Sequence, residues 1–342
     1  MTKFKVCAKI HLFIIISSLI IAIGMAVGTI CHFCAGGFFN YGGEFSSYKS
    51  VTVSYYFSEY KELSDVKPVC EEALKGFDAY EVSYYTEGSI GGEIVYKYPK
   101  NTDSAKLQEA VKELNVKLDK NGSGLNIASM HEGEARVGGY KAIAFAAIAV
   151  SAAAVFQFIY FVLRYKLRAA FSALLASVHN LGVYVALAAI TRIPLGTEAI
   201  AIGVAVVLIT MIFTCVYFDR TRKNFANEKY AKTDRLEVVD MSACEVRMTE
   251  TISLGALAVT AVIFGVFAAI AQLWAGALAP FALAVFGLIA CFYGLVFFTP
   301  AVHGAIDGVC EKVKIAAKNR SKTVKKKTEK SEKTADSAKD LA

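Results

Sequence analysis

Charge-free apolar blocks recur along the sequence and indicate its organisation. Asp, Glu, Lys and Arg are absent from 12–31, 142–163, 169–190, 199–218 and 251–306. A helix needs about 20 apolar residues to cross the hydrocarbon core of a bilayer. The last block is long enough for two crossings, and Pro280 suits the first turn of its second helix. The pattern therefore predicts six membrane-spanning helices.

The segment 32–139, between the first two spans, has a different pattern. Val- and Tyr-rich stretches predict a strand near 50–57 and a hairpin over 79–99, and 124–132 is predicted to be a last edge strand. A helix is predicted after an N-cap at Thr102 or Asp103, because apolar residues then recur at helical spacing: Leu107, Val111, Leu114 and Leu118. With a short helix after the first strand, the order β-α-β-β-α-β is typical of a ferredoxin-like split βαβ fold.

Basic residues fix the predicted orientation. Lys and Arg are frequent in the N-terminus, the turn near 164–168, the segment 219–250 and the tail, which the positive-inside rule places in the cytoplasm. The predicted layout is 1–9 cytoplasmic N-terminus, 10–31 first span, 32–139 extracytoplasmic domain, 140–218 spans two to four, 219–250 cytoplasmic loop, 251–303 spans five and six, and 304–342 basic, mostly disordered cytoplasmic tail.

Composition agrees with a membrane protein and limits other functions. The chain has 342 residues, of which 55% are hydrophobic, and a net charge of +7 that comes mostly from the tail. We expect this tail to lie near an anionic leaflet and expect no nucleic-acid partner. The scattered cysteines favour no metal site, and whether Cys31 and Cys34 form a disulfide stays open. No hydrolase, kinase or nucleotide-binding motif occurs, so the sequence predicts neither an enzyme nor a cofactor.

Polar residues inside the predicted spans are the candidate functional residues. His179 and Asn180 lie near the middle of span three, and Thr210 and Thr214 lie one turn apart in span four. A titratable group at that depth is a functional candidate by default. Two alternatives are a proton relay and hydrogen-bonded packing between helices, with the threonines bonding to their own helix.

Three stretches resemble the SecF family of protein-export membrane proteins, half-length members of the resistance-nodulation-division (RND) superfamily. "YFVLRYKLRAAFSALLASVHN", "VYFDRTRKN" and "GFFNYGGEF" are similar to family motifs. The matching positions are Arg164, Arg168 and His179 in the first, Phe218, Asp219, Arg220, Arg222 and Asn224 in the second, and Gly42 and Gly43 in the third.

The resemblance implies a fold class and a function. The fold class is a membrane all-α bundle of six transmembrane helices, of the RND half-transporter type, with a small extracytoplasmic α+β ferredoxin-like domain between helices 1 and 2. The implied function is to assist protein export across the cytoplasmic membrane, driven by the proton-motive force. The implied partners are SecD, the SecYEG translocon, the unfolded polypeptide in transit and the lipid bilayer.

The sequence departs from the family where the family has charged groups in or near its spans. Phe39, Asn180, Ile212, Phe213 and Thr249 occupy these positions. We therefore predict that His179 is the only side chain within a span able to carry a proton near neutral pH. A SecD-like partner would then supply the carboxylate.

Asp219 and Arg220 are predicted to form structural ion pairs with the start of span five, through Arg247 or Glu250. Two other functions remain open. One is a stand-alone RND-like exporter of a small lipid or peptide, and the other is a degenerate, non-conducting scaffold paralogue.

Overall fold

The structure is a computed structural model that describes residues 6–35, 37–42, 45–56, 63–77, 79, 81–87, 91–119, 126–134, 137–270 and 274–313. Gly43 and the greater part of the predicted tail, 314–342, lie outside the described residues.

Helices form most of the described chain. They are α1 Ile10–Ala35, α2 Leu63–Ala73, α3 Ser104–Leu118, α4 Gly139–Tyr165, α5 Leu167–Thr191, α6 Thr197–Ala226, α7 Arg235–Ile270 and α8 Trp274–Tyr293. A π-helical turn, Gly294–Phe298, follows α8 and leads into a helical segment at 299–313, called here the α8 extension. Among the described residues, six helices are long and apolar enough to cross a membrane, which agrees with the six predicted spans.

Helix α5 is the centre of the bundle, since it contacts α1, α4, α6 and α8. Its most apolar window is 56% buried, whereas those of the other five spans are 11% to 39% buried. The buried face of α5 is rich in small residues, which let helices approach closely inside a membrane: Ala169, Ala170, Ser172, Ala173, Ala176 and Ser177. The outer helices expose apolar side chains such as Leu163 and Phe33.

The segment between α1 and α4 forms a four-stranded antiparallel sheet with two helices. Its strands are β1 Tyr48–Tyr56, β2 Glu81–Glu87, β3 Gly91–Pro99 and β4 Ile127–Gly133. Their order across the sheet is β2-β3-β1-β4, and Val53 in β1 pairs with Ile94 in β3 and Ala128 in β4. The elements follow the chain in the predicted order β-α-β-β-α-β.

The core of this inserted domain lies between the sheet and α3. Leu107, Val111, Leu114 and Leu118 are all buried, as their helical spacing predicts. The Asp103 side chain accepts from the backbone N–H groups of Ala105 and Lys106, which makes it the N-cap. Asn115 joins α3 to β4 by donating from Nδ2 to the Ala128 carbonyl oxygen at 2.9 Å and accepting from the Ala128 N–H at 2.6 Å.

Helix extends into two segments predicted to be a cytoplasmic loop and a tail. The predicted loop 219–250 contains the end of α6 and the start of α7, and only 227–234 lies between them, with a 3-10 turn at Glu228–Tyr230. The predicted tail from 304 is helical to 313. Hydropathy marks where the apolar stretch ends, whereas polar helix–helix contacts carry these helices further.

Candidate functional site

Four residues form a buried polar cluster between the spans: His179 and Asn180 of α5, Thr210 of α6 and Gly294 of the π-helical turn. Asn180 and Thr210 are fully buried, and His179 is 7% exposed. The amide orientation that gives both the oxygen and the nitrogen of Asn180 suitable partners lets Nδ2 donate to His179 Nδ1 at 3.0 Å and to the Ala290 carbonyl oxygen at 3.2 Å. Asn180 Oδ1 then accepts from Thr210 Oγ1 at 2.9 Å. The cluster joins α5, α6 and α8.

The His179 ring stacks on Phe298, with centroids 3.8 Å apart and planes 14° apart. Because Nδ1 accepts from Asn180, the hydrogen of the neutral ring is on Nε2. That nitrogen is buried and has no hydrogen-bond partner among the described residues. Buried polar atoms in proteins are normally paired. His179 therefore combines a fixed orientation with one nitrogen still available to a water molecule or a proton donor.

Gly294 allows the cluster to form. A Cβ added at this position would lie 1.6 Å from the nearest atom of the Asn180 amide. Bare backbone thus packs directly on the amide, at a π-helical turn, a distortion that is frequent at functional sites. The spans contain many small residues, so the sequence does not distinguish Gly294 from the others and could not predict this contact.

The two threonines of α6 differ in role. Thr210 belongs to the cluster and its hydroxyl also lies 2.7 Å from the Val206 carbonyl oxygen of its own helix, whereas Thr214 donates to the Thr210 carbonyl oxygen at 2.5 Å. For Thr214, the alternative of bonding to its own helix fits the structure.

The ends of α4 and α6, the starts of α5 and α7 and the α8 extension meet in what we call the charged end. It contains Arg164, Asp219, Glu245 and Asp307. Asp219 pairs with Arg164 at 3.1 Å, and Arg220 pairs with Glu245 at 2.6 Å. The predicted pairing with the start of span five holds for Arg220, through Glu245 instead of Glu250, whereas Asp219 pairs with α4. Successive residues on a helix point about 100° apart, so Asp219 faces α4 while Arg220 faces α7.

Four more family-matching residues lie at the charged end: Arg168, Phe218, Arg222 and Asn224. Asn224 donates from Nδ2 to Glu245 at 2.7 Å and to Ser242 at 3.0 Å, and Phe218 is buried. Arg168 pairs with Asp307 at 2.6 Å. Arg222 is exposed and forms no ion pair within the described ranges.

Asp307 is the central carboxylate of the charged end, and the sequence analysis assigned it only to the tail. Its side chain is 5% exposed and pairs with both Arg168, at 2.6 Å, and Arg235, at 2.7 Å. These ion pairs connect the start of α5, the start of α7 and the α8 extension. Their geometry points to a structural role for Arg168.

Glu250 and His303 are titratable side chains within candidate spans that the sequence analysis missed. Glu250 is 2% exposed and interacts electrostatically with Arg247 and with Tyr217. Tyr217 in turn contacts His303, with 2.9 Å between its hydroxyl oxygen and Nδ1. The prediction that His179 is the only proton-carrying group in a span stays a prediction, and Glu250 and His303 are two further candidates for that role. Glu250 is the last charged residue before the longest charge-free block, and only packing reveals its burial.

The segment containing Gly42 packs against the turn between α5 and α6. The Gly42 N–H donates to the Leu195 carbonyl oxygen at 2.9 Å, and a Cβ on Gly42 would approach that oxygen to 3.2 Å. Arg192 Nη1 donates to the carbonyl oxygens of Gly37 and Phe38 at 3.1 and 2.7 Å. Gly42 is therefore placed at a close backbone approach.

Metal and disulfide chemistry find no support in the described part of the chain. No group of three or more His, Cys, Asp or Glu side chains there converges on a possible metal site. Cys31 and Cys34 both lie in α1 as free thiols.

A six-helix bundle with a sheet domain after its first span and polar groups buried between its spans defines a multi-pass membrane protein. Residues 116–307 match the family described as protein export membrane protein SecD/SecF, C-terminal. The chain belongs to this SecD/SecF family of protein-export membrane proteins.

Solved structures agree on the fold. A crystal structure of SecDF in a super-membrane-facing form is similar over 92% of this chain, with a TM-score of 0.64 and 19% identity. The crystal structure of SecDF from Thermus thermophilus, described as a translocon-associated membrane protein, is similar over 90%, with a TM-score of 0.53 and 17% identity. This chain spans 40% and 39% of the length of those two chains. A search of curated proteins gives no significant match.

Proposed function

We propose that this chain is a SecF-like subunit, of RND type, that assists protein export across the cytoplasmic membrane with a SecD-like partner and the SecYEG channel. The observation that carries the proposal is the match of nearly the whole chain to about two-fifths of a SecDF chain. A chain that corresponds to one part of SecDF is expected to need a partner that supplies the rest. The order β2-β3-β1-β4 also supports a ferredoxin-like fold for the inserted domain.

Co-purification tests the proposed assembly. The tagged chain, extracted from its native membranes in mild detergent, should recover a second six-span protein of the same family together with the channel. The same extraction with an untagged chain is the control. Recovery of the chain alone, or only with itself, would contradict the proposal and favour a stand-alone exporter.

We propose that export is driven by the proton-motive force and that Glu250 is the group of this subunit that gains and loses the proton. Its burial, its place in a span and its proximity to Arg247 and Tyr217 support this role. Buried carboxyl groups of this kind serve in proton relays of membrane proteins. The assignment replaces the expectation that a partner alone supplies the carboxylate.

Substituting Glu250 tests this role. In E250Q, export in energised membrane vesicles should lose its dependence on the proton gradient, while the variant still co-purifies with its partners. E237Q, on the same helix, is the matched control and should export normally. If E250Q exports normally and H179F loses the dependence instead, His179 is the proton-carrying group. If both variants export normally and remain assembled, neither residue carries the proton, and the result favours a non-conducting scaffold.

We propose that both termini face the cytoplasm and that the inserted domain is extracytoplasmic. The Lys and Arg residues near the charged end support this orientation. Cys34 and Cys244 are both exposed but lie near opposite ends of the bundle, so they can report it. A membrane-impermeant maleimide should label Cys34 from outside intact cells and Cys244 only in inverted vesicles.

Cys70 provides an internal check on that labelling. Burial in the domain core raises the pKa of the Cys70 thiol to about 12, so little thiolate is present at neutral pH and labelling requires unfolding. The C34S variant controls for labelling elsewhere. Labelling of Cys244 from outside intact cells would contradict the proposed orientation and indicate the reverse one.

A further inference from the structure

A basic cavity of about 590 Å³ opens at the charged end. It lies between the turn that joins α4 to α5, the end of α6, the start of α7 and the α8 extension. Its charged lining consists of one carboxylate, Asp307, and five basic side chains: Arg164, Lys166, Arg168, Arg222 and Arg235.

The protein's own carboxylates neutralise only part of this charge. Arg168 and Arg235 share Asp307, and Arg164 pairs with Asp219. Lys166 and Arg222 form no ion pair with any described residue. Two cations that line the cavity, one on the α4–α5 turn and one on α6, therefore lack a counter-charge in this part of the chain. An anion between them would supply it.

The backbone adds hydrogen-bond donors to the same wall. The first turn of α5 lines the cavity, and its N-cap residue, Lys166, provides no side-chain cap. The first N–H groups of a helix have no partner within the helix and favour anions. Lys166 itself has φ 78°, in the region that favours glycine. The single-residue connection between α4 and α5 holds this lysine, in a strained conformation, at the cavity.

Exposed apolar side chains lie next to the cavity. Leu163 is 82% exposed and Leu167, which lines the cavity, is 54% exposed. Both belong to candidate spans and lie within a few residues of Arg164 and Lys166. A ligand that fits both surfaces has an anionic head and hydrocarbon chains.

We propose that this cavity binds the headgroup phosphate of an anionic phospholipid, with Lys166, Arg222 and the first turn of α5 as its contacts and the acyl chains along Leu163 and Leu167. Basic pockets between spans bind lipid headgroups in this way. The proposal depends on the membrane placement of the helices and not on the role in export.

Native mass spectrometry of the full-length protein in mild detergent tests the site, with added phosphatidylglycerol, phosphatidylcholine or inorganic phosphate. We expect one phosphatidylglycerol to remain bound at high collision energy, and phosphatidylcholine and phosphate to be lost. The double variant K166Q/R222Q should bind phosphatidylglycerol about tenfold more weakly or worse, since it removes two charge-assisted contacts. Its thermal stability should be maintained, because neither residue forms an ion pair in the described structure.

The double variant K223Q/K232Q is the matched control. It removes the same charge from exposed lysines nearby that do not line the cavity. Equal weakening in both double variants would mean that the general positive charge of this end attracts the lipid, and would overturn the proposal. Equal retention of phosphatidylcholine, or tight binding of inorganic phosphate without lipid, would overturn it as well.

Discussion

Replacing Gly294 with alanine is expected to destabilise the protein by roughly 3 kcal/mol, at the upper end of the usual cost of overpacking. The new Cβ would lie 1.6 Å from the Asn180 amide, in a position where fully buried α5 and α6 residues leave no room for the amide to withdraw. Thermal unfolding in detergent, followed with a thiol-reactive dye that reports the buried Cys70 and Cys291, measures the effect.

The control for this prediction is Gly308→Ala in the α8 extension. A Cβ there meets no atom within 4 Å, so alanine should be neutral or slightly stabilising. In an Asn180→Ala background, Gly294→Ala should lose most of its cost, because the atom it strikes is gone. Equal stability of G294A and G308A would show that Gly294 does not pack on Asn180.

Substituting Asp307 with asparagine is expected to be similarly severe. Removing one partner of a buried ion pair typically costs about 3–5 kcal/mol. Because Arg168 and Arg235 are partly exposed, with side chains 31% and 46% accessible, we expect a value near the lower end, about 3 kcal/mol. The same unfolding assay measures it, and the charged end should open first because three helix segments lose their common partner.

Glu311→Gln is the matched control, one turn further along the α8 extension. Glu311 is 3.6 Å from Arg235 and its side chain is 52% exposed. An exposed pair of this kind contributes about 0–1 kcal/mol. If D307N and E311Q unfold at the same temperature, the buried pairs at Asp307 do not hold the charged end together.

Sequence predicted the features that depend on patterns along one helix or strand. The six spans follow from charge-free blocks, and the buried face of α3 follows from the spacing of Leu107, Val111, Leu114 and Leu118. His179 and Asn180 could be selected because polar residues are conspicuous in an apolar block. They do lie together, in the buried cluster with Thr210.

Features that depend on which helices touch could not be predicted in the same way. Nothing in the sequence says that Asp219 faces Arg164 while its neighbour Arg220 faces Glu245. Glu250 follows a charge-rich stretch, so its sequence context indicates a surface residue, whereas the packing of the helices buries it. Gly294 and Asp307 derive their importance from residues far away in the sequence: Asn180 for Gly294, and Arg168 and Arg235 for Asp307.

The two chain connections of the inserted domain pass close to one point. Gly42 is tied to Leu195, and a Cβ on Gly139, at the start of α4, would lie 3.0 Å from the ring of Tyr41. The domain also rests through β2 on α8. Tyr41 is therefore next to both chain connections, and we expect a rotation of the domain about this residue to change the contact between β2 and α8 while the Gly42–Leu195 hydrogen bond is kept. Force applied to the far edge of the sheet would reach the bundle first through the turn between α5 and α6, the helices that carry Asn180 and Thr210.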